Sequence, residues 1–267
     1  MAFISKNFDF PFWIKKDVFE ACVLSSIMYS CESWINNSYK AADTAYMTCI
    51  KTLLGVRKST PSLLCLAELD FPSIEGKTKK LQKSFLHNLL ESRKDIIDDP
   101  FIMVWNYCKD KNTPGYNYLR NVLLTEDHIS TDRDKRNYKI HLYKENKTKF
   151  KTYISINPNL ISNYVYNNKT NDIPEYERQS FSRIRLSSHN LKIETGRWRQ
   201  QPREDRLCDC GSIQTESHVI FDCPLTISIR NSFFSNINFN LDLEQFFVQN
   251  DPKIICNMFF QILQKFS

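Results

Sequence analysis

Glycine is scarce in this chain, with five in 267 residues. No Gly-rich phosphate-cradling loop is present, and neither a nucleophile elbow nor an H-E-x-x-H helix occurs. Catalytic chemistry therefore has no visible home. No apolar run reaches the ~18 residues that a membrane-spanning helix needs. The opening "MAFISKNFDFPFW" is interrupted by Lys6 and Asp9, where a secretory leader would need an unbroken apolar stretch. The acid pair Asp98-Asp99 in "DIIDDPF" has a two-metal look but lacks a third acid in suitable context. With Pro100 taken as a helix end, the pair reads as a surface turn.

What is present points to a helix-rich globular chain, long enough to bury a substantial core. Net charge is +6, a mild basic balance that favours polyanionic partners without demonstrating them. Nine cysteines is an odd number, and Cys22, Cys31, Cys49, Cys65 and Cys108 are scattered through helix-like segments, as small buried hydrophobes are. A disulfide framework suits so large a chain poorly. A reducing compartment, cytoplasm or nucleus, is expected, with no membrane partner.

Apolar spacing builds the element pattern. Val18, Phe19, Cys22, Val23 and Ile27 recur at helical intervals. Tyr39, Ala42, Tyr46, Cys49, Ile50 and Leu53 line one face of a second helix, which Gly55 should end as a C-cap. Thr60 before Pro61 reads as an N-cap followed by proline in the first turn. Ser73 caps a further helix carrying Leu81, Phe85, Leu86, Leu89 and Leu90. Residues 1–94 thus read as a compact helical bundle. Residues 95–173 form a more polar helical connector, with helices predicted over 115–124 and 132–153 and a loop or linker over 156–172. In residues 174–267, Phe181, Ile184, Leu186 and Leu191 restore helical character. A short and a longer helix close that region, the longer one starting after Asp251-Pro252. The fold class is mainly α.

Within the C-terminal region, "CDCGSIQTESHVIFDC" has the form C-x-C-x7-H-x4-C. Thiolates and imidazoles are zinc ligands by type, and zinc takes four of them in a tetrahedron. Cys208 and Cys210 straddle Asp209, and Gly211 is free to take the positive φ that folds the chain back. Thr215 is placed to cap a short helix through His218 that Pro224 stops, bringing His218 and Cys223 toward one point. Four protein ligands would close the site and make the zinc structural, with no position for a catalytic water. The competing reading is a chance grouping of buried thiols with one surface histidine.

Just upstream, the chain concentrates Arg178, Arg183, Arg185, Arg197, Arg199, Arg203 and Arg206, with His189 and Trp198 among them. Arginine suits bidentate phosphate contacts, and Trp198, between Arg197 and Arg199, can stack on an unpaired base. Arg178, Arg185 and His189 fall roughly on one side. The bland alternative is a solvated helix face followed by a polar loop, with Trp198 as a core anchor.

Two stretches together resemble the reverse transcriptases of non-LTR (LINE-type) retrotransposons. "KNFDFPFWIKKDVFEACVLSSIMYSCESW" followed by "LLGVRKSTPSLLCLAELDFPSI" is similar to the helical thumb that follows the polymerase palm. "RIRLSSHNLKIETGRWRQQPREDRLCDCGSIQTESHVIFDCPL" is similar to the C-terminal region that ends in a zinc knuckle. The resemblance implies that Cys208, Cys210, His218 and Cys223 are the knuckle ligands. It implies that Arg197, Trp198, Arg199, Arg203 and Arg206 handle template RNA or target DNA, and that Arg57 lies in a thumb beside a primer–template duplex. The family's palm, with its F/Y-x-D-D acids, and its endonuclease have no counterpart here, so the chain is expected to be non-catalytic. Helices over 12–54 would then present an apolar face for a separate palm or for self-association. Other readings are a zinc-stabilised helical protein-interaction module, or the product of a decayed element with no retained function.

Overall fold

The computed structural model describes residues 10–34, 39–96, 98–124, 148–160, 164–166 and 173–267. Among these residues regular structure is helical, and the only β pairing is one antiparallel bridge between Leu207 and Ile213. The first helical run, α1, comprises Phe12–Val18, Phe19–Leu24 and Ser25–Ile27, and its middle widens to π-helical pairing. α2 (Lys40–Leu54) buries Tyr46, Met47, Ile50, Leu53 and Leu54. Its end is the predicted one. Gly55 takes φ +69°, its N–H meets the Thr52 carbonyl at 3.2 Å, and the Val56 N–H meets the Lys51 carbonyl at 3.1 Å. Those are the paired bonds of a Schellman cap.

α3 (Ser62–Leu69) begins one residue later than Thr60 and Pro61 suggested. Pro61 is the cap residue, and Thr60 gives its hydroxyl proton to Ser188 at 3.0 Å. α4 (Ile74–Arg93) is capped as predicted, the Ser73 hydroxyl accepting from the Gly76 N–H at 3.0 Å. Its buried stripe is Ile74, Thr78, Gln82 and Leu86, leaving Phe85 48% exposed. Gln82 sets that rotation. Its amide donates to the Trp34 carbonyl at 2.6 Å and the Cys31 carbonyl at 3.2 Å, and its oxygen accepts from Tyr118 at 3.1 Å. Buried carbonyls need such partners more than a phenylalanine needs one particular site.

Pro100 opens a helix instead of ending one. Asp99 caps α5 (Pro100–Asp110), accepting from the Phe101 N–H at 2.8 Å and the Ile102 N–H at 3.1 Å. The proline sits in the first turn, where its missing N–H costs nothing. α6 (Pro114–Leu124) matches the helix predicted over 115–124. Of the helix predicted over 132–153, residues 132–147 lie outside the described residues, and α7 (Thr148–Ile156) covers the rest. The described part of the predicted linker is not a free tether. Tyr166 is buried edge-on to Phe12 at 5.4 Å and to Phe181 at 6.3 Å, and its hydroxyl shares a hydrogen bond with Ser182 at 2.8 Å.

The C-terminal region supplies α8 (Glu175–Arg185), α9 (Lys192–Trp198), α10 (Ile227–Phe233), α11 (Leu243–Gln249) and α12 (Pro252–Lys265). Asp251 caps α12 by accepting from the Lys253 N–H at 2.8 Å. α12 packs along α8, and Phe181, Phe247 and Phe259 interlock between them. The core does not stop near residue 170. One hydrophobic cluster runs from Phe12, Phe19 and Leu54 through Phe150 and Tyr166 to Phe181, Val219 and Ile262. The inward faces of α1 and α2 are therefore covered within this chain: Phe19 stacks with Tyr46 and Phe71.

Buried ion pairs cross the same seam. Arg185 of α8 meets Glu68 of α3 through Nε at 2.5 Å and Nη2 at 3.0 Å, and Tyr153 of α7 donates to that carboxylate at 2.8 Å. Arg178 is forked onto Glu175 at 2.6 and 2.9 Å and donates to the Leu53 carbonyl at 2.8 Å. Lys15 of α1 stands 3.4 Å from Glu175.

Candidate metal centre and basic surface

The Leu207–Ile213 bridge closes the loop that carries the first two thiols. Inside it the Cys208 N–H donates to the Ser212 carbonyl at 2.7 Å and the Gly211 N–H to the Cys208 carbonyl at 2.9 Å. Gly211 takes φ +93°, the conformation for which glycine was expected there. The second pair of ligands follows Thr215, whose hydroxyl accepts from the His218 N–H at 3.1 Å, the predicted cap. An α-helix would set residues five apart roughly 140° apart around its axis. Here His218–Asp222 is a π turn, closed by the Cys223 N–H on the His218 carbonyl at 2.7 Å. The wider turn brings Cys223 back beside His218.

All four ligand atoms lie within 4.8 Å of one another. The Cys208 and Cys223 sulfurs are 3.6 Å apart, those of Cys210 and Cys223 3.9 Å, and Cys210 Sγ lies 3.1 Å from His218 Nε2. Metal bonds of ~2.3 Å to sulfur and ~2.0 Å to nitrogen, at tetrahedral angles, require edges of about 3.8 and 3.5 Å. Those two sulfur edges match, and the sulfur–nitrogen edge is short by about 0.4 Å, a gap that one ion would open. Both sulfur distances far exceed the ~2.05 Å of a disulfide. His218 is 9% exposed, so it is not a surface bystander. The cluster can hold a metal ion.

Burial pushes the Cys223 thiol up to about 11, whereas the Ser212 N–H holds the more open Cys210 thiol below its ordinary value. A bound cation favours the thiolate at both. Neighbours hold the ligand segments in place. Gln214 donates to Cys208 Sγ at 3.6 Å and accepts from the Lys192 N–H at 2.6 Å, tying the start of α9 to the loop. Arg230 donates to the Cys223 carbonyl at 2.9 Å. Arg206 donates to the Ile193 carbonyl at 3.0 Å and the Gln201 carbonyl at 2.6 Å. It lies so close to Gly196 that a Cβ there would stand 2.6 Å from Arg206 Cγ.

Burial divides the nine residues marked for nucleic-acid contact. Arg178 and Arg185 do share a side of α8, but it is the inward side, where Glu175 and Glu68 hold them. His189 is buried too, with Nε2 3.0 Å from Glu216, which also accepts from the Ser187 hydroxyl at 2.8 Å. Burial alone would raise the Glu216 pKa, but His189, Ser187 and a backbone N–H hold it down at about 2. These three residues are interior supports, not surface contacts. Arg206 is committed to backbone carbonyls, Arg197 pairs with buried Glu194 at 2.8 Å, and Arg183 is half-buried with Nε on the Gly55 carbonyl at 2.9 Å. Arg199 and Arg203 are exposed. Trp198 is 47% exposed and so no core anchor; the Arg57 guanidinium lies 3.9 Å from its ring centre.

The carboxylates that organise this region, Glu68, Glu175, Glu194 and Glu216, do not stand out by spacing. One signal existed. Glu68 is the single charged residue of the helix "SLLCLAEL", and a lone charge in an apolar helix demands a buried partner. No helix among the described residues is long and apolar enough to cross a membrane. Compared with known proteins, the chain matches no protein-family model, no curated protein and no solved structure.

Proposed function

We propose that this chain is a non-catalytic nucleic-acid-binding module of the kind found in the C-terminal part of LINE-type reverse transcriptases. A structural zinc ion on Cys208, Cys210, His218 and Cys223 positions an exposed basic strip for RNA or DNA. The observation that carries this reading is the convergence of four soft ligands beside α9, to which they are tied through Gln214 and Arg206. Three thiols and an imidazole favour zinc over hard cations, and four protein ligands leave the ion no reacting position. Arg199 and Arg203 supply phosphate contacts, and the open part of Trp198 offers a stacking surface.

The test is fluorescence anisotropy of a single-stranded RNA at two salt concentrations. Each phosphate contact contributes about −0.7 to the slope of log K against log salt. Exchanging Arg197, Arg199 and Arg203 together for glutamine should flatten the slope by about 1–2. No binding, or a slope unchanged by the triple exchange, refutes the proposal. A second reading, a zinc-stabilised protein-interaction module, is favoured by α5, where Met103, Val104 and Tyr107 are each at least 59% exposed.

A further inference from the structure

A cavity of about 420 Å³ opens between the end of α2, the turn joining α8 to α9, and the end of α12. Arg57, Arg183, Ser188 and His189 form its polar wall, and Leu263 and Phe266 face them. That wall carries more positive charge than the protein neutralises. Arg183 donates through Nε to the Gly55 carbonyl at 2.9 Å and through Nη2 to Gln179 at 3.2 Å, leaving Nη1 without an acceptor among the described residues. Arg57 donates to the His189 carbonyl at 2.9 Å and to the Asn190 side chain. Arg178, Arg185 and Arg197 are each paired with a carboxylate; among the described residues Arg57 and Arg183 are not. Burial pushes both guanidinium groups below the ordinary arginine range; at Arg57 the Glu194 carboxylate offsets part of this, while Arg183 presses on Arg57 as Arg178 presses on Arg183.

A second observation is independent of charge. The cavity's size falls in the ~300–1,000 Å³ range of small-molecule sites.

We infer that this cavity binds a single nucleotide unit, its phosphate on Arg183 and Arg57 and its base or sugar against Leu263 and Phe266. A free nucleotide and an unpaired nucleotide within a strand share this chemistry. The assignment stands whether or not the strip around Arg199 binds RNA or DNA.

The test is calorimetric titration of the full chain with adenosine monophosphate and with inorganic phosphate, alongside the RNA anisotropy assay. The wild-type chain should bind the nucleotide more tightly than phosphate alone. Arg183→Met should weaken nucleotide binding at least tenfold. Asn190→Asp, at an exposed position, sets a carboxylate against Arg57 without touching the core and should weaken it at least fivefold. Absence of nucleotide binding by the wild-type chain, or binding unaffected by both substitutions, overturns the inference. RNA binding that persists without any nucleotide binding overturns the cavity and leaves the strip reading intact. Nucleotide binding without RNA binding does the reverse. RNA affinity that falls together with nucleotide affinity in both variants identifies the strand as the source of the bound unit.

Discussion

Replacing Arg185 by methionine should cost the fold about 3–5 kcal/mol, the usual penalty for removing one partner of a buried ion pair. The geometry supports the upper part of that range. Glu68 is fully buried and receives two guanidinium hydrogen bonds, so R185M leaves its carboxylate, among the described residues, with only the Tyr153 hydroxyl at 2.8 Å. The guanidinium also stands 5.3 Å from the Phe181 ring centre and 5.2 Å from that of Phe247, contacts that a thioether replaces only in part. Domains are stable by about 5–15 kcal/mol, so the loss is a large share of the total. It should lower the melting temperature by roughly 6–20 °C, at about 2–4 °C per kcal/mol for chains of comparable size. Urea unfolding followed by circular dichroism, with calorimetry beside it, reads both quantities. The double variant E68L/R185M removes both charges and should recover most of the loss, since apolar replacement of a buried pair is often neutral. A single-variant loss below about 1 kcal/mol would refute the structural role. A surface phosphate contact behaves oppositely: it leaves the melting temperature unchanged and lowers RNA affinity.

Elemental analysis should find one zinc ion per purified chain, and Cys223→Ser should lose it. Because structural zinc contributes an apparent ~10–16 kcal/mol in small fingers, chelation should unfold residues around the loop; a metal-free chain with unchanged circular dichroism would sink the assignment. Acid sensitivity should come in part from Glu175. Burial alone would raise its pKa, but Arg178, Lys15 and Gln179 outweigh burial and hold it below the ordinary carboxylate value. A depressed folded pKa gives stability that is complete above the unfolded value near ~4.3 and is lost as pH falls through the folded one. The drop in urea midpoint between pH 6 and pH 3 should therefore be larger in the wild-type chain than in E175Q, and equal drops would refute this.

The caps at Gly55, Ser73 and Thr215 are legible in the sequence because each depends on one residue and its next few neighbours. The ligand quartet is legible by residue type and spacing, though the π turn that aligns His218 with Cys223 is not. Helix rotation is another matter. α4 faces inward along Gln82 because of Trp34 and Tyr118, which lie 48 and 36 positions away. The basic residues fail for the same reason. An arginine beside an apolar stripe looks the same in sequence whether it meets water or a carboxylate, and the partner of Arg185 lies 117 positions earlier. The predicted linker hides its core role similarly, since a run rich in Asn gives no sign that Tyr166 wedges between Phe12 and Phe181.

Arg206 joins three pieces of backbone with one side chain: the segment entering the ligand loop, α9 at Ile193, and the following turn at Gln201. It fits there because Gly196 is bare. A metal held by that loop would thereby be geared to the outer surface. On the proposed function, a metal-starved loop that let residue 206 drift would slacken the turn displaying Arg199 and Arg203, so grip on a polyanion would track metal supply with no phosphate touching the ion.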